Sequence, residues 1–316
     1  MSSVRRAAQR LLFFFSVFIV SAPAQGEVSV FRGMCDASAT VGVGGNMLLV
    51  ADDEDNTLRL YRMRGGKPVR KFNMNRFLKT PKRREADIEG AARMGETVYW
   101  ITSHGTNKEG KPRPGRHRLF ATKVTVFGGK VKVSKVGTPY RGLVEAFEKD
   151  ARLKRFGLSE AANKAPKSRG GLNIEGLARY GKDGLIIGLR NPTPDGKALL
   201  IPLENPGEVV GEGKEPRFGE PVLLPLGGRG IRSVINARDS YLIVAGARNG
   251  APDFAFYKWE GGSDIPQPVP GPKIGGLNPE AMAFFPRRGL IALLSDDGAL
   301  CKNRYGDRFR GTFLRY

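Results

Sequence analysis

The chain has 316 residues, long enough to bury a large core, and its 52 lysines and arginines against 31 acids give a formal net charge of +21. That balance favours anionic partners such as lipid head groups, polysaccharide or phosphorylated ligands. With only two histidines and two cysteines, too few ligands remain for a histidine-built zinc centre.

In chain order, Arg5, Arg6 and Arg10 precede a short apolar run, Leu11 to Val20, and then Ala22-Pro23-Ala24. This is the pattern of a cleavable secretory leader over residues 1–24, too short to be a stable membrane span. It predicts a periplasmic or secreted protein with no stable membrane insertion after cleavage. Export in turn argues against nucleic acid as a partner. Residues 25–316 are then expected to form a single β-propeller domain and to act as a monomer.

From here a short phrase recurs at the head of successive apolar strand pairs. It reads Cys35-Asp36-Ala37-Ser38-Ala39, Asp87-Ile88-Glu89-Gly90-Ala91 and Asn173-Ile174-Glu175-Gly176-Leu177, degenerates to Gly230-Ile231-Arg232-Ser233-Val234, and returns as Asn278-Pro279-Glu280-Ala281-Met282. Each copy leads through a turn into a dense apolar run: Met47 to Ala51, Thr97 to Ile101, Leu185 to Leu189, Tyr241 to Ala245 and Leu290 to Leu294. Continuous apolar runs suit strands buried on both faces. Third strands follow at Leu58–Tyr61, Arg118–Ala121, Ala198–Ile201 and Phe254–Tyr257, with weaker fourth strands at Val131–Val133 and Val222–Leu224. Repeats of this length predict an all-β, five-bladed β-propeller, with six blades as the alternative count. The last blade lacks an outer strand, which Val28-Ser29-Val30-Phe31 can supply. Cys35 opens the first repeat and Cys301 follows the last, so ring closure makes them neighbours and predicts a disulfide.

Two segments break the pattern. Residues 143–164 are charged and helix-compatible, with Leu143, Phe147 and Ala151 on one face and Gly157 as a stop. They fill a crossing between blades or cap the channel. Lys108 to Arg118 is a basic loop, read as a solvated loop or a polyanion contact.

Blade geometry places the chemistry. The first strand of each blade lines the channel and the second runs antiparallel to it, so first-strand starts and second-strand ends share one mouth. The starts carry Asp36, Glu89, Glu175, Arg232 and Glu280. The ends carry Asp52 and Asp53, Ser103 and His104, Arg190 and Asn191, Arg248 and Asn249, and Asp296 and Asp297. Converging carboxylates repel unless protonated or neutralised. An oxygen-only set suits Ca²⁺ or Mg²⁺. Asp36, Glu89, Asn173, Glu175, Asn278 and Glu280 are therefore the predicted ligands of a Ca²⁺-type site, against a reading in which the glutamates are structural. Arg190, Asn191, Arg229, Arg232 and Arg248 are predicted to hold an anionic group beside it, and His104 is the candidate general base. Asp52-Asp53-Glu54-Asp55-Asn56 lacks the central glycine and distal glutamate of an EF-hand and reads as a polar turn.

The phrases quoted above, with Val50 to Asn56 and Gly188-Leu189-Arg190-Asn191-Pro192, resemble an uncharacterised bacterial family known only as a domain of unknown function. The likeness spans roughly residues 33 to 300 and implies a propeller without an established activity. A looser likeness, in the Asn-x-Glu-Gly phrase, is to calcium-dependent propeller hydrolases: lactonases, paraoxonase-like enzymes and the phytase-like esterase group. It implies a central calcium held by Glu89, Glu175, Glu280, Asn173 and Asn278, with Arg232 where a further acid would stand. Two functions are expected from these readings. One is a metal-dependent hydrolase of an anionic ester, lactone or phosphoester. The other is a non-catalytic binding propeller that recognises an anionic small molecule, an envelope polyanion or a partner protein.

Overall fold

Five four-stranded antiparallel sheets follow one another along the chain in a computed structural model that describes residues 27–81, 84–271, 276–301 and 306–316. The predicted leader lies outside the described residues. Strand β1 (Val28–Arg32) comes first. Blade 1 is β2 (Ala39–Val43), β3 (Met47–Ala51), β4 (Thr57–Arg62) and β5 (Arg70–Asn73). Blade 2 is β6 (Ile88–Met94), β7 (Thr97–Thr102), β8 (Leu119–Phe127) and β9 (Lys130–Tyr140). Blade 3 is β10 (Asn173–Tyr180), β11 (Gly184–Asn191), β12 (Ala198–Leu203) and β13 (Val222–Leu224). Blade 4 is β14 (Gly230–Ala237), β15 (Ser240–Gly246), β16 (Phe254–Trp259) and β17 (Gln267–Val269). Blade 5 is β18 (Pro279–Phe285), β19 (Leu290–Ser295) and β20 (Arg308–Arg315), completed by β1.

The protein is thus an all-β, five-bladed propeller, and each predicted strand run falls on a strand of the expected rank, with Arg118 alone one residue ahead of β8. β1 pairs with β20 in antiparallel register, Val28 opposite Thr312 and Arg32 opposite Arg308, so the N-terminal strand closes the ring. Cys35 and Cys301 are disulfide-bonded at the same seam. The inner and second strands are buried on both faces because each blade packs against two others. Ile174, Ile187 and Leu189, for example, share one apolar cluster with Ile101 and Leu119 of the preceding blade.

The helical insertion is present but broken into Leu143–Lys149, Ala151–Lys154 and Leu158–Ala161. Asp150 stops the first helix and caps the second, its side chain accepting from the Arg152 N–H at 2.9 Å. Gly157 adopts φ 58°, which favours glycine, and starts the third helix. The break at Asp150 turns Ala151 outward, away from the predicted face, while Leu143, Phe147, Leu153 and Leu158 pack into the core between blades 2 and 3. The insertion therefore fills a crossing between blades.

Candidate functional site

The strand registers show how the repeated phrase builds one channel mouth. In β6, Ile88 pairs with Thr102 and Gly90 with Ile101, so Glu89 is an extra, bulged residue. The same irregularity isolates Glu175 in β10, Arg232 in β14 and Glu280 in β18. A bulge re-aims its side chain, and here four blades each place one charged group at an equivalent position. The glycine after Glu175 has a physical reason: a Cβ on Gly176 would lie 2.7 Å from Ile231 of the next blade.

Blade 1 departs from the predicted alignment. Ala39 pairs with Ala51 as Gly90 pairs with Ile101, so Ser38 occupies the position of Glu89 and Asp36 stands with Asp87, Asn173 and Asn278. Counting along the second strands by the same register puts Asp53, Ser103, Arg190, Gly246 and Asp296 in a third set. Gly246 leaves room for Arg232, whose Cδ would lie 2.5 Å from an added Cβ.

The mouth is electrostatically divided. On the side of blades 3 to 5 the acids are paired. Arg190 Nη1 lies 2.6 Å from Glu175 Oε1, and Arg232 Nη2 lies 2.6 Å from Glu280 Oε1. The Asn173 amide donates to Glu175 at 2.6 Å, and the Asn278 amide donates to Asp296 at 3.0 Å. On the side of blades 1 and 2, Asp36, Asp52 and Asp53 form one cluster and Asp53, Asp87 and Glu89 another, with one carboxylate oxygen from each member within 4.8 Å of the others. Arg116 meets Asp87 at 2.9 Å and Ser103 donates to it, and Arg59 stands 3.8 Å from Asp52. Asp36 Oδ1, Asp53 Oδ1 and Glu89 Oε2 are buried with no hydrogen-bond partner among the described residues, as is Glu175 Oε2 on the other side, whose Oε1 is held by Arg190.

Protonation follows from this arrangement. Burial first, then neighbouring carboxylates, pushes Asp36 up to about 9 and Asp52 up to about 7. Asp53 and Glu89 are pushed well above the usual carboxylate range for the same reasons. Burial also pushes Glu280 up, and Arg232, 2.6 Å away, opposes the shift. Asp296 is held down by its contacts with Asp36, the Gly298 N–H and Arg232, which outweigh its own burial. Two carboxylate trios that share Asp53, with unsatisfied oxygens on several members, make a set that a hard cation fits. Below the mouth, between Ser38, Glu89, Leu177, Ile235 and Met282, the channel narrows to a void of about 10 Å³, no more than one water can use.

The structure thus brings Asp36, Glu89, Asn173, Glu175, Asn278 and Glu280 to one mouth, but in two halves. Asp36 and Glu89 belong to the unneutralised half, and the other four belong to the paired half. Arg190 and Arg232 are buried counter-ions there. Asn191 is fully buried, its amide donating to the Pro166 and Ser168 carbonyls at 2.8 and 2.6 Å. Arg229 pairs with Asp253 at 2.7 Å, and Arg248 follows β15, half-buried. His104 is fully buried. Its Nδ1 donates to the Thr102 carbonyl at 2.7 Å, and its ring lies 5.4 Å from that of His117. Burial, with His117 beside it, lowers it to about 3, so it is neutral at ordinary pH. Asp53, which completes both acidic clusters, was missed as a ligand because a polar-turn reading of Asp52 to Asn56 accounts for its backbone, and Asp87 because only the fold sets it against Asp53. Asp52 does accept the Glu54 N–H at 2.9 Å. The turn nevertheless aims Asp53 inward.

The model of the family described as a protein of unknown function (DUF3616) matches residues 36–124 and 130–270. The chain belongs to that family. No curated protein sequence matches it. Among solved structures, glutaminyl cyclase of Myxococcus xanthus is similar at 14% identity and a TM-score of 0.49, covering 93% of this chain and 97% of that one. The PQQ-bound aldose sugar dehydrogenase of Streptomyces coelicolor is similar at 13% identity and a TM-score of 0.47, covering 93% and 99%. No functional residue is carried over from either to this member of the DUF3616 family.

The paired half of the mouth yields a direct test. Replacing Arg232 by Met strips Glu280 of its 2.6 Å partner, and removing one member of a buried pair costs about 3–5 kcal/mol. The double variant Arg232→Met/Glu280→Gln is expected to recover most of that loss in urea denaturation. Equal stability of wild type and Arg232→Met would remove the charge-pairing account.

Proposed function

We propose that the mouth holds a divalent cation of the Ca²⁺ type on Asp36, Asp53, Asp87 and Glu89, and that the exported protein uses it to hydrolyse an anionic ester, lactone or phosphoester. The observation that carries this reading is the pair of acidic clusters sharing Asp53, in which Asp36, Asp53 and Glu89 each keep a buried, unpartnered oxygen. A bound cation would supply Lewis-acid polarisation of the scissile carbonyl or phosphoryl oxygen. Asp52, pushed to about 7, is poised near neutrality and suits the role of a base for water better than the fully buried His104. Arg190 and Arg232 neutralise Glu175 and Glu280 and so confine the excess negative charge to the cation's half. The Cys35–Cys301 disulfide fits an oxidising compartment, as periplasmic or secreted localisation requires. Among the described residues, no helix is long and apolar enough to cross a membrane.

Elemental analysis of the purified protein tests the site. Near-stoichiometric calcium or magnesium is expected, and it should be lost in Asp53→Asn and Glu89→Gln. Turnover of ester, lactone or phosphoester panels should disappear with it. A metal-free wild type that stays metal-free in millimolar calcium would sink the reading. The second reading, a non-catalytic propeller that binds an anionic envelope ligand, is favoured by the +21 formal charge and predicts salt-sensitive binding without turnover.

A further inference from the structure

A separate cleft of about 850 Å³ opens between the basic loop before β8 and the helical insertion. Lys79, Arg84, Arg113, Arg118 and Arg141 line it, against the acids Glu85 and Glu145, and Glu85 is already engaged by Arg116 at 2.8 Å. At its wall lies an unusual group. Arg118 is 3% exposed, yet it forms no ion pair among the described residues. Its Nε donates to the Leu78 carbonyl at 2.9 Å, and its Nη1 donates to the Pro114 and His117 carbonyls at 2.7 Å each. These bonds fix the guanidinium plane and leave Nη2 without a described partner. Arg141, another cation, lines the same cleft, and burial, with the Arg141 charge added, lowers Arg118 to about 10. A buried guanidinium with no counter-charge is costly, and a second arginine beside it raises that cost.

We propose that this cleft is a binding site for a phosphorylated small anion, whose phosphoryl group bridges Arg118 and Arg141. The fork of N–H donors on each arginine matches the tetrahedral oxyanion, and the cleft volume lies in the range of small-molecule sites. Lys79 and Arg113 supply further positive charge, and His117 lines the same wall. The proposal does not depend on a metal at the channel mouth, because no mouth carboxylate lines the cleft.

The test is calorimetric titration of the full-length mature protein with inorganic pyrophosphate and with glucose 6-phosphate, in EDTA and at low salt. Saturable binding of either probe is expected. Arg141→Gln, at an exposed position, should weaken it by about tenfold, and Arg118→Met should abolish it. Arg179→Gln, on the opposite mouth, should leave it unchanged. Because Arg118→Met removes bonds to three carbonyls, its fold is checked by circular dichroism, and Arg141→Gln carries the test if it unfolds. No binding at millimolar probe, undiminished binding in Arg141→Gln, or an equal loss in Arg179→Gln would each overturn the proposal.

Discussion

Calcium added to the metal-free protein is expected to raise its thermal midpoint, and to raise it more at alkaline than at acidic pH. Without a cation, Asp36 and Asp52 titrate in the folded state at about 9 and about 7, and Asp53 and Glu89 are also pushed well up, all above their unfolded values. A folded pKa above the unfolded one means that the folded state holds protons the unfolded state releases. The stability this contributes is fully present below about pH 4 and is lost as pH rises through the folded values. The metal-free protein should therefore weaken steadily from about pH 5 to about pH 9. A divalent cation replaces those protons as the counter-charge, and its binding competes with them. Its stabilisation is then largest where the carboxylates are already ionised. At a calcium concentration about a thousandfold above Kd the gain is about 4 kcal/mol, which for a chain of this size is roughly 8 °C. Melting curves with calcium and with EDTA, at about pH 5.5 and about pH 8.5, measure it. A calcium increment that is absent, or equal at both pH values, would contradict the assignment of Asp36, Asp53, Asp87 and Glu89 as ligands.

Loss of the Cys35–Cys301 bond should destabilise the ring by a comparable amount. The bond spans a sequence separation of 266 residues, and the chain-entropy argument gives about 5 kcal/mol for a loop of that length, an upper figure. Closure by β1 against β20 shares the same seam, so the reduced ring should loosen there first. Cys35→Ser/Cys301→Ser is expected to melt roughly 10 °C lower than wild type, with early loss of amide protection in β1 and β20 by hydrogen exchange. Because Asp36 adjoins Cys35 and faces Asp296 across an isolated bridge, calcium affinity should fall as well. Unchanged melting would mean that strand pairing alone closes the ring.

Both experiments bear on how far the chain could be read before its fold was known. The blade number, the rank of each strand, the closing role of Val28 to Phe31 and the Cys35–Cys301 pairing were all legible. They rest on local pattern: apolar runs that suit doubly buried strands, a phrase repeated at strand heads, and the topology of a ring. The phrase also marked Glu89, Glu175, Arg232 and Glu280 correctly as one structural position. What failed locally was the helix of residues 143–164, where Asp150 bonds its own neighbouring backbone in competition with the helical ladder.

Strand direction and repeat spacing suffice to specify a five-bladed ring with charge gathered at one mouth. Which of those charges cancel follows from contacts that form only in the folded ring. The bulges that aim Glu89 and its counterparts inward, and the register that puts Asp36 at the position equivalent to Asp87 and Ser38 at that of Glu89, are pairings between strands, and the inward aim of Asp53 appears only once its local turn is set against Asp87 and Glu89 of the next blade. Through-space contacts then set Arg190 and Arg232 against Glu175 and Glu280, and leave Asp36, Asp53 and Glu89 with open oxygens. The burial of Arg118 beside Arg141 was likewise invisible, because a run of basic residues looks the same whether its charges face water or line a cleft. Electrostatic energy depends on distance and desolvation, and neither is written in the order of residues.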